Sequence, residues 1–236
     1  MLASLWLFVQ AAPGAPFRNL DFEEANTNTL RSLPDAPTTW NGLPALYGPG
    51  EDLIPGWQFA EGTTGTPSTS PVGFDYYPLR ADFGYVTLVD HNYPLTTPVG
   101  RYSLAIVPNF VGAGRPISDP YSLVQVGDVP SDANSISFGN RGLPFALRIN
   151  GEPLPLGGGP LGNGLFSADV SRFAGQTVEL RFSTYYTDAI VTDFTPYHLI
   201  DAIAFSPNKI IPEPATWVLF ASGALTLIFL RPRWKN

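Results

Sequence analysis

The sequence predicts an all-β fold, an antiparallel β-sandwich of jelly-roll type, and three observations carry that expectation. The 236 residues include Gly 23 and Pro 25, together about a fifth of the chain, well above average usage. The apolar fraction is 44% and the aromatic fraction 13%, enough to build a packed core despite the many turns. Between Phe17 and Pro207 the apolar residues fall in runs of four to seven, rich in β-branched and aromatic types and separated by turn signals. No stretch of this region carries a capped apolar stripe of 3.6-residue period.

The individual strands can be read in order. Residues 85–89, Tyr102–Val107, residues 121–126, residues 135–138, Phe145–Ile149, residues 177–182 and residues 200–205 each alternate or run apolar over strand length. Asn150-Gly151 follows one of these runs and predicts a two-residue hairpin, because both positions of a type I′ turn need positive φ. Residues 169–176 read as a strand end, a short helical turn and a return. The runs Gly157-Gly158-Gly159-Pro160 and Gly162-Asn163-Gly164 predict a flexible loop, and residues 62–71, rich in Gly, Thr, Ser and Pro, predict a mobile surface loop. Short strands with irregular connections are the mark of a two-sheet sandwich, and no internal repeat is visible.

Charge and composition exclude several functions. Net charge is −7 and only 13 residues are Lys or Arg, with no basic cluster outside the extreme C-terminus, so a nucleic-acid partner is not expected. With no cysteine there is no disulfide framework, thiolate metal site or cysteine nucleophile. His91 and His198 are the two histidines and form no His-x-x-x-His pair, and no Gly-x-Ser-x-Gly elbow is present. The glycine-rich residues 157–164 lack the Lys-Ser/Thr ending of a phosphate loop. Asp188 and Asp193 read as solvated loop acids rather than a glycosidase pair.

The two ends carry targeting signals. Residues 2–9 are apolar and are followed by Ala11, Ala12, Gly14 and Ala15, the pattern of a secretory signal peptide over residues 1–12. No Lys or Arg precedes the apolar run, so either the true start lies upstream or the signal is a weak one. At the other end Pro212, Glu213 and Pro214 precede residues 215–230, which carry no charge, and Arg231, Arg233 and Lys235 follow. As a helix, residues 215–230 would span roughly 24 Å, close to the hydrocarbon core of about 30 Å. Trp217 and Trp234 would sit at its two interfaces, with the basic tail left on the cytoplasmic side.

This tripartite end, residues 211–236, resembles the PEP-CTERM sorting signal of Gram-negative bacteria, with Pro232 interrupting the basic cluster. The resemblance implies recognition and cutting near Pro212, Glu213 and Pro214 by an exosortase, a membrane-embedded protease-transpeptidase. It further implies export through the inner membrane, transient anchoring there, and a final place at the cell surface or in the exopolysaccharide matrix. The absence of cysteine fits a bacterial envelope protein.

A second set of landmarks occurs in chain order: Asn19-Leu20-Asp21-Phe22-Glu23, Pro55-Gly56-Trp57, residues 178–182, and residues 200–205 with Asp201. Together they resemble galactose-binding-like β-sandwich domains, the architecture of several carbohydrate-binding modules. The resemblance implies that the first and last strands are neighbours and that one structural calcium ion lies between Glu23 and Asp201. Paired carboxylates repel unless a cation joins them, and calcium takes carboxylate and carbonyl oxygens.

Aromatic residues are the candidates for stacking on sugar rings. Trp40, Tyr76, Tyr77, Tyr85, Tyr93 and Tyr197 are among them, while Trp57 reads as core. Tyr185 and Tyr186 are singled out as ligand-binding residues, because strand alternation forbids both from facing inward. The expected function is therefore a non-enzymatic extracellular protein that binds polysaccharide or serves as a matrix component. The alternatives are a secreted polysaccharide hydrolase and a self-assembling surface protein.

Overall fold

The structure is a computed structural model and describes residues 14–32, 46–61, 65, 72–74, 85–91, 100–107, 121–142, 145–158, 164–184 and 198–210. The expected signal peptide, the sorting signal at 211–236, and Tyr185 and Tyr186 lie outside the described residues. Among the described residues no helix is long and apolar enough to cross a membrane.

The described chain is built almost wholly of strands: β1 (Arg31–Ser32), β2 (Leu46–Gly48), β3 (Gln58–Glu61), β4 (Val72–Phe74), β5 (Tyr85–Asp90), β6 (Tyr102–Val107) and β7 (Tyr121–Asp128). They continue with β8 (Ser135–Gly142), β9 (Phe145–Ile149), β10 (Glu152–Pro153), β11 (Gly157–Gly158), β12 (Gly164–Asp169), β13 (Thr177–Thr184) and β14 (His198–Ser206). Among the described residues helical structure is confined to one turn, Gly50–Leu53, and two 3-10 turns, Thr27–Thr29 and Ser171–Phe173.

The strands form two sheets, a nine-stranded one in the order β1-β2-β4-β5-β6-β14-β8-β12-β11 and a five-stranded one in the order β10-β9-β13-β7-β3. From β7 onward successive long strands change sheet, with β7, β9 and β13 in the small sheet and β8, β12 and β14 in the large one. The expected all-β sandwich is therefore present. Its pairing is not antiparallel throughout, because β4 and β5 run parallel, Gly73 opposite Thr87. A parallel pair cannot be closed by a tight hairpin.

Strand alternation places the core. Phe145, Leu147 and Ile149 of β9 and Val178, Leu180 and Phe182 of β13 face inward from the small sheet. Ile136 and Phe138 of β8, Leu104 and Ile106 of β6, and Ile200 and Ile203 of β14 complete the same buried cluster. At its centre the Phe182 ring meets Phe138 edge-on at 5.0 Å, with Trp57 at 6.2 Å and Phe145 at 6.3 Å. Residues 86–89 of β5 and 102–106 of β6 are buried on both faces, which is why they read as near-continuous apolar runs.

Turn chemistry works as the sequence predicts at two places. Asn150 and Gly151, at φ 50° and 78°, close the β9–β10 hairpin with Ile149 opposite Glu152. Asp169 ends β12, and its carboxylate accepts from the Ser171 backbone N–H and hydroxyl at 2.9 and 2.7 Å, starting the 3-10 turn. Two expectations need correction. Gly157 and Gly158 are not simply loop, since they pair with Ser167 and Phe166 as β11. A Cβ at Gly158 would lie 2.4 Å from the Leu165 carbonyl oxygen, so only glycine permits that approach. The opening segment is likewise not a strand beside the last one. Residues 17–24 form an irregular turn that packs on β14 through a hydrogen bond from the Ile203 N–H to the Leu20 carbonyl, 3.1 Å.

Candidate functional site

The opening turn is held from within by Asn19. Its side-chain carbonyl accepts from the Glu24 N–H at 3.0 Å, its amide donates to the Pro55 carbonyl at 3.2 Å, and its own backbone carbonyl accepts from the Trp57 indole N–H at 2.9 Å. Asn19 and Phe22 adopt positive φ of 51° and 60°. Asparagine tolerates that conformation, whereas phenylalanine is strained in it. Complete burial of the Phe22 ring, 6.0 Å from Trp57, holds it there. The turn thereby aims Glu23 at the start of β6.

Glu23 Oε1 accepts from the backbone N–H of Arg101 at 2.7 Å and of Tyr102 at 2.9 Å. Gly100, at φ 102°, makes room for this, because a Cβ there would sit 2.5 Å from Glu23 Oε1. One residue further along β6, the Ser103 hydroxyl donates to Asp201 Oδ2 at 2.8 Å. The Ala202 N–H donates to Asp201 Oδ1 at 2.6 Å. Asp201 is buried, and it stands where the pairing of β14 with β8 shifts register between Asp201 and Ala204. Ala202 takes φ 49° in that bulge. Bulges re-aim side chains in this way.

Both sequence-predicted metal residues are therefore bonded to one short stretch at the start of β6, Glu23 through residues 101 and 102 and Asp201 through residue 103. Two carboxylates are donors of the hard-oxygen kind that calcium takes. Among the described residues no group of three or more His, Cys, Asp or Glu gathers at one point. Sequence reasoning missed Ser103 and Gly100, whose roles depend on the register of distant segments, and it missed the turn-forming work of Asn19, for which the Asn-x-x-Phe-Glu spacing was the available signal.

The other candidates separate. Trp57 is core, as its sequence setting suggests, at 2% exposure. His91 is exposed at the end of β5, and His198 opens β14. Trp40, Tyr76, Tyr77, Tyr93, Tyr197, Asp188 and Asp193 lie outside the described residues. A second polar feature lies on the outer face of the small sheet, where Arg181, 3% exposed, is paired with Glu179 by its Nε at 2.8 Å.

The described residues thus define an all-β, sandwich-like domain whose opening turn is bound by the Glu23 carboxylate to the middle of the large sheet. No family model matches the chain, and no curated protein matches it. Among solved structures it is similar to the enzymatically active domain of tailspike protein 4 from bacteriophage CBA120. That likeness has 11% identity and a TM-score of 0.34, and covers 64% of this chain and 19% of that one.

Proposed function

We propose that this chain is an exported, non-enzymatic surface protein of a Gram-negative bacterium, a jelly-roll sandwich that binds polysaccharide or serves as a matrix component. The observation that carries the reading is the order of features at residues 211–236. Pro212, Glu213 and Pro214 come first, then an uncharged apolar run, then Arg231, Arg233 and Lys235. A Pro-x-Pro unit resists helix and stays extended, the form in which a protease takes its substrate, and an apolar helix beside it would hold it at the membrane surface. The exosortase is the partner that this end implies, and the membrane its temporary anchor.

The folded domain is compatible with such an end. After β14 the chain is fixed by the Asn134 amide, which donates to the Pro207 carbonyl at 2.6 Å, and by the Ser135 hydroxyl, which donates to the Asn208 carbonyl at 2.8 Å. Only a few residues then separate this anchored exit from Pro212. Mass spectrometry of the mature protein from its host tests the reading: the expected product lacks the residues beyond the Pro-Glu-Pro motif. An intact C-terminus on protein recovered from the cytosol would overturn it.

Part of the same proposal is one structural calcium ion shared by Glu23 and Asp201. It would join the opening turn to β14 and offset the repulsion of two acids brought to one strand. Chelation then lowers the thermal midpoint and calcium restores it; coincident melting curves together with no bound metal in elemental analysis would remove the ion from the proposal.

A further inference from the structure

The described chain enters and leaves the sandwich at the same end. At its entry the Ala15 carbonyl accepts from the Asp128 N–H at 2.9 Å, and Pro16 bridges to Asp128, the last residue of β7. A Cβ on Gly14 would collide with the Asp128 carboxylate and the Thr177 side chain, so this segment lies directly against the end of β7 and the start of β13. Phe17 covers Gly127 and stacks on Phe205 at 5.4 Å. At the exit the Asn134 N–H donates to the Ser206 carbonyl at 2.8 Å, and the Asn134 amide and Ser135 hydroxyl hold the Pro207 and Asn208 carbonyls. Entry and exit therefore flank one turn, residues 129–134, which joins β7 to β8.

Strand register defines the two ends of the domain. Asp128 lies opposite Thr177, and Ser135 lies opposite both Asp169 and Ser206, so β7, β8, β12, β13 and β14 all meet the near end. The far end holds Gly142, opposite His198, and Phe145, opposite Thr184. At the usual rise of a strand, the eight residues of β8 separate the two ends by about 25 Å. The apolar residues 215–230 begin seven positions after Asn208, and the apolar residues 2–9 end five positions before Gly14. Fully extended, these two tethers reach no further than about 25 Å and about 18 Å. A tether that short, starting at the near end, is consumed in running the length of the domain, so the far end cannot turn to a bilayer that holds either apolar run.

We propose that the end of the sandwich formed by residues 129–134 and 170–176 is the face turned to the lipid bilayer, and that the opposite strand ends point outward. The inference rests on the exported, membrane-anchored reading above and adds which surface meets the membrane. Tethers, not adhesion, set this orientation. Around the near end Asp128, Asp132 and Asp169 outnumber Arg172 and Lys209, and Arg172 is bound to Glu152 at 2.7 Å. An acidic face is repelled by the anionic headgroups that attract basic segments.

The chain contains no cysteine, so single thiols introduced into it report position without background. Ser131→Cys lies in the near turn, and Leu165→Cys lies on β12 opposite Gly139, towards the far end; both sites are exposed. Each variant, full-length and with its fold checked by circular dichroism, is labelled with a donor dye. It is then reconstituted into phosphatidylethanolamine–phosphatidylglycerol vesicles that carry an acceptor dye on a fraction of the headgroups. Energy transfer per bound protein is expected to be several-fold stronger from Ser131→Cys than from Leu165→Cys, and the difference should persist in high salt. Equal transfer, or stronger transfer from Leu165→Cys, would overturn the orientation and leave the anchored reading standing. A difference that vanishes at about 1 M salt, where charges are screened beyond about 3 Å, would overturn the control by tethers. Protein that stays off the vesicles altogether would overturn both this inference and the reading it rests on.

Discussion

The Glu23 carboxylate accepts two backbone N–H groups, and the glycine ahead of them leaves space for it. Truncating it to alanine removes the acceptor from both N–H groups, of which the Tyr102 one is partly buried and the Arg101 one exposed to water. Glu23→Ala should therefore cost about 0.5–1.5 kcal/mol in urea unfolding, while Glu23→Gln, which keeps an acceptor oxygen, should cost less. Asp169 offers a test in pH. Its carboxyl is held below the ordinary value of 3.8 chiefly by the Ser171 hydroxyl and then by the Ser171 N–H, with Lys209 and Arg172 adding to the effect. A depressed folded pKa means stability that is fully present above 3.8 and disappears as pH falls through the lower, folded value. The stability gap between the native chain and Asp169→Ala should be constant from neutral pH down towards that region. It should close in stronger acid, which midpoints measured across the acid range would show.

At the scale of elements, β13 joins the two halves of the core, since Phe182 touches rings from both sheets. Phe182→Ala should destabilise by about 3–5 kcal/mol, read as a lowered denaturant midpoint with little change in slope. The elements most legible in sequence are those set by local chemistry. The bounds of β6 and β9 and the Asn150-Gly151 hairpin could be read directly from alternation and turn residues. The end of β8 could not: Gly139, Asn140, Arg141 and Gly142 have poor strand propensity, and they are extended because β12 or β14 pairs with them. The two- and three-residue strands β1, β2, β4, β10 and β11 lack the length for a period. At the candidate site, Glu23 and Asp201 were visible as residue types in a recognisable order. Ser103 as a partner depends on register between distant segments that no local pattern encodes.

At the scale of the molecule, most stabilising pairings join residues far apart in sequence. Arg18 on the opening segment is bonded to Gln125 through both its N–H and its carbonyl, at 2.6 and 2.9 Å. Loop-closure entropy must be met before such contacts form, so refolding should take milliseconds to seconds rather than microseconds. Stopped-flow tryptophan fluorescence, with buried Trp57 as a reporter, measures it; relaxation in microseconds would contradict this topology.

The position of β14 also bears on how the protein is made. It is the last described strand in the chain, yet it lies between β6 and β8, and those two meet only through it. While a ribosome has yet to deliver residues 198–206, the large sheet exists at most as two separate pieces, each with a bare edge. Such edges invite pairing with other chains. The finished shape is therefore withheld until residues 198–206 have emerged, and a product cut short before β14 should aggregate rather than persist as a smaller domain.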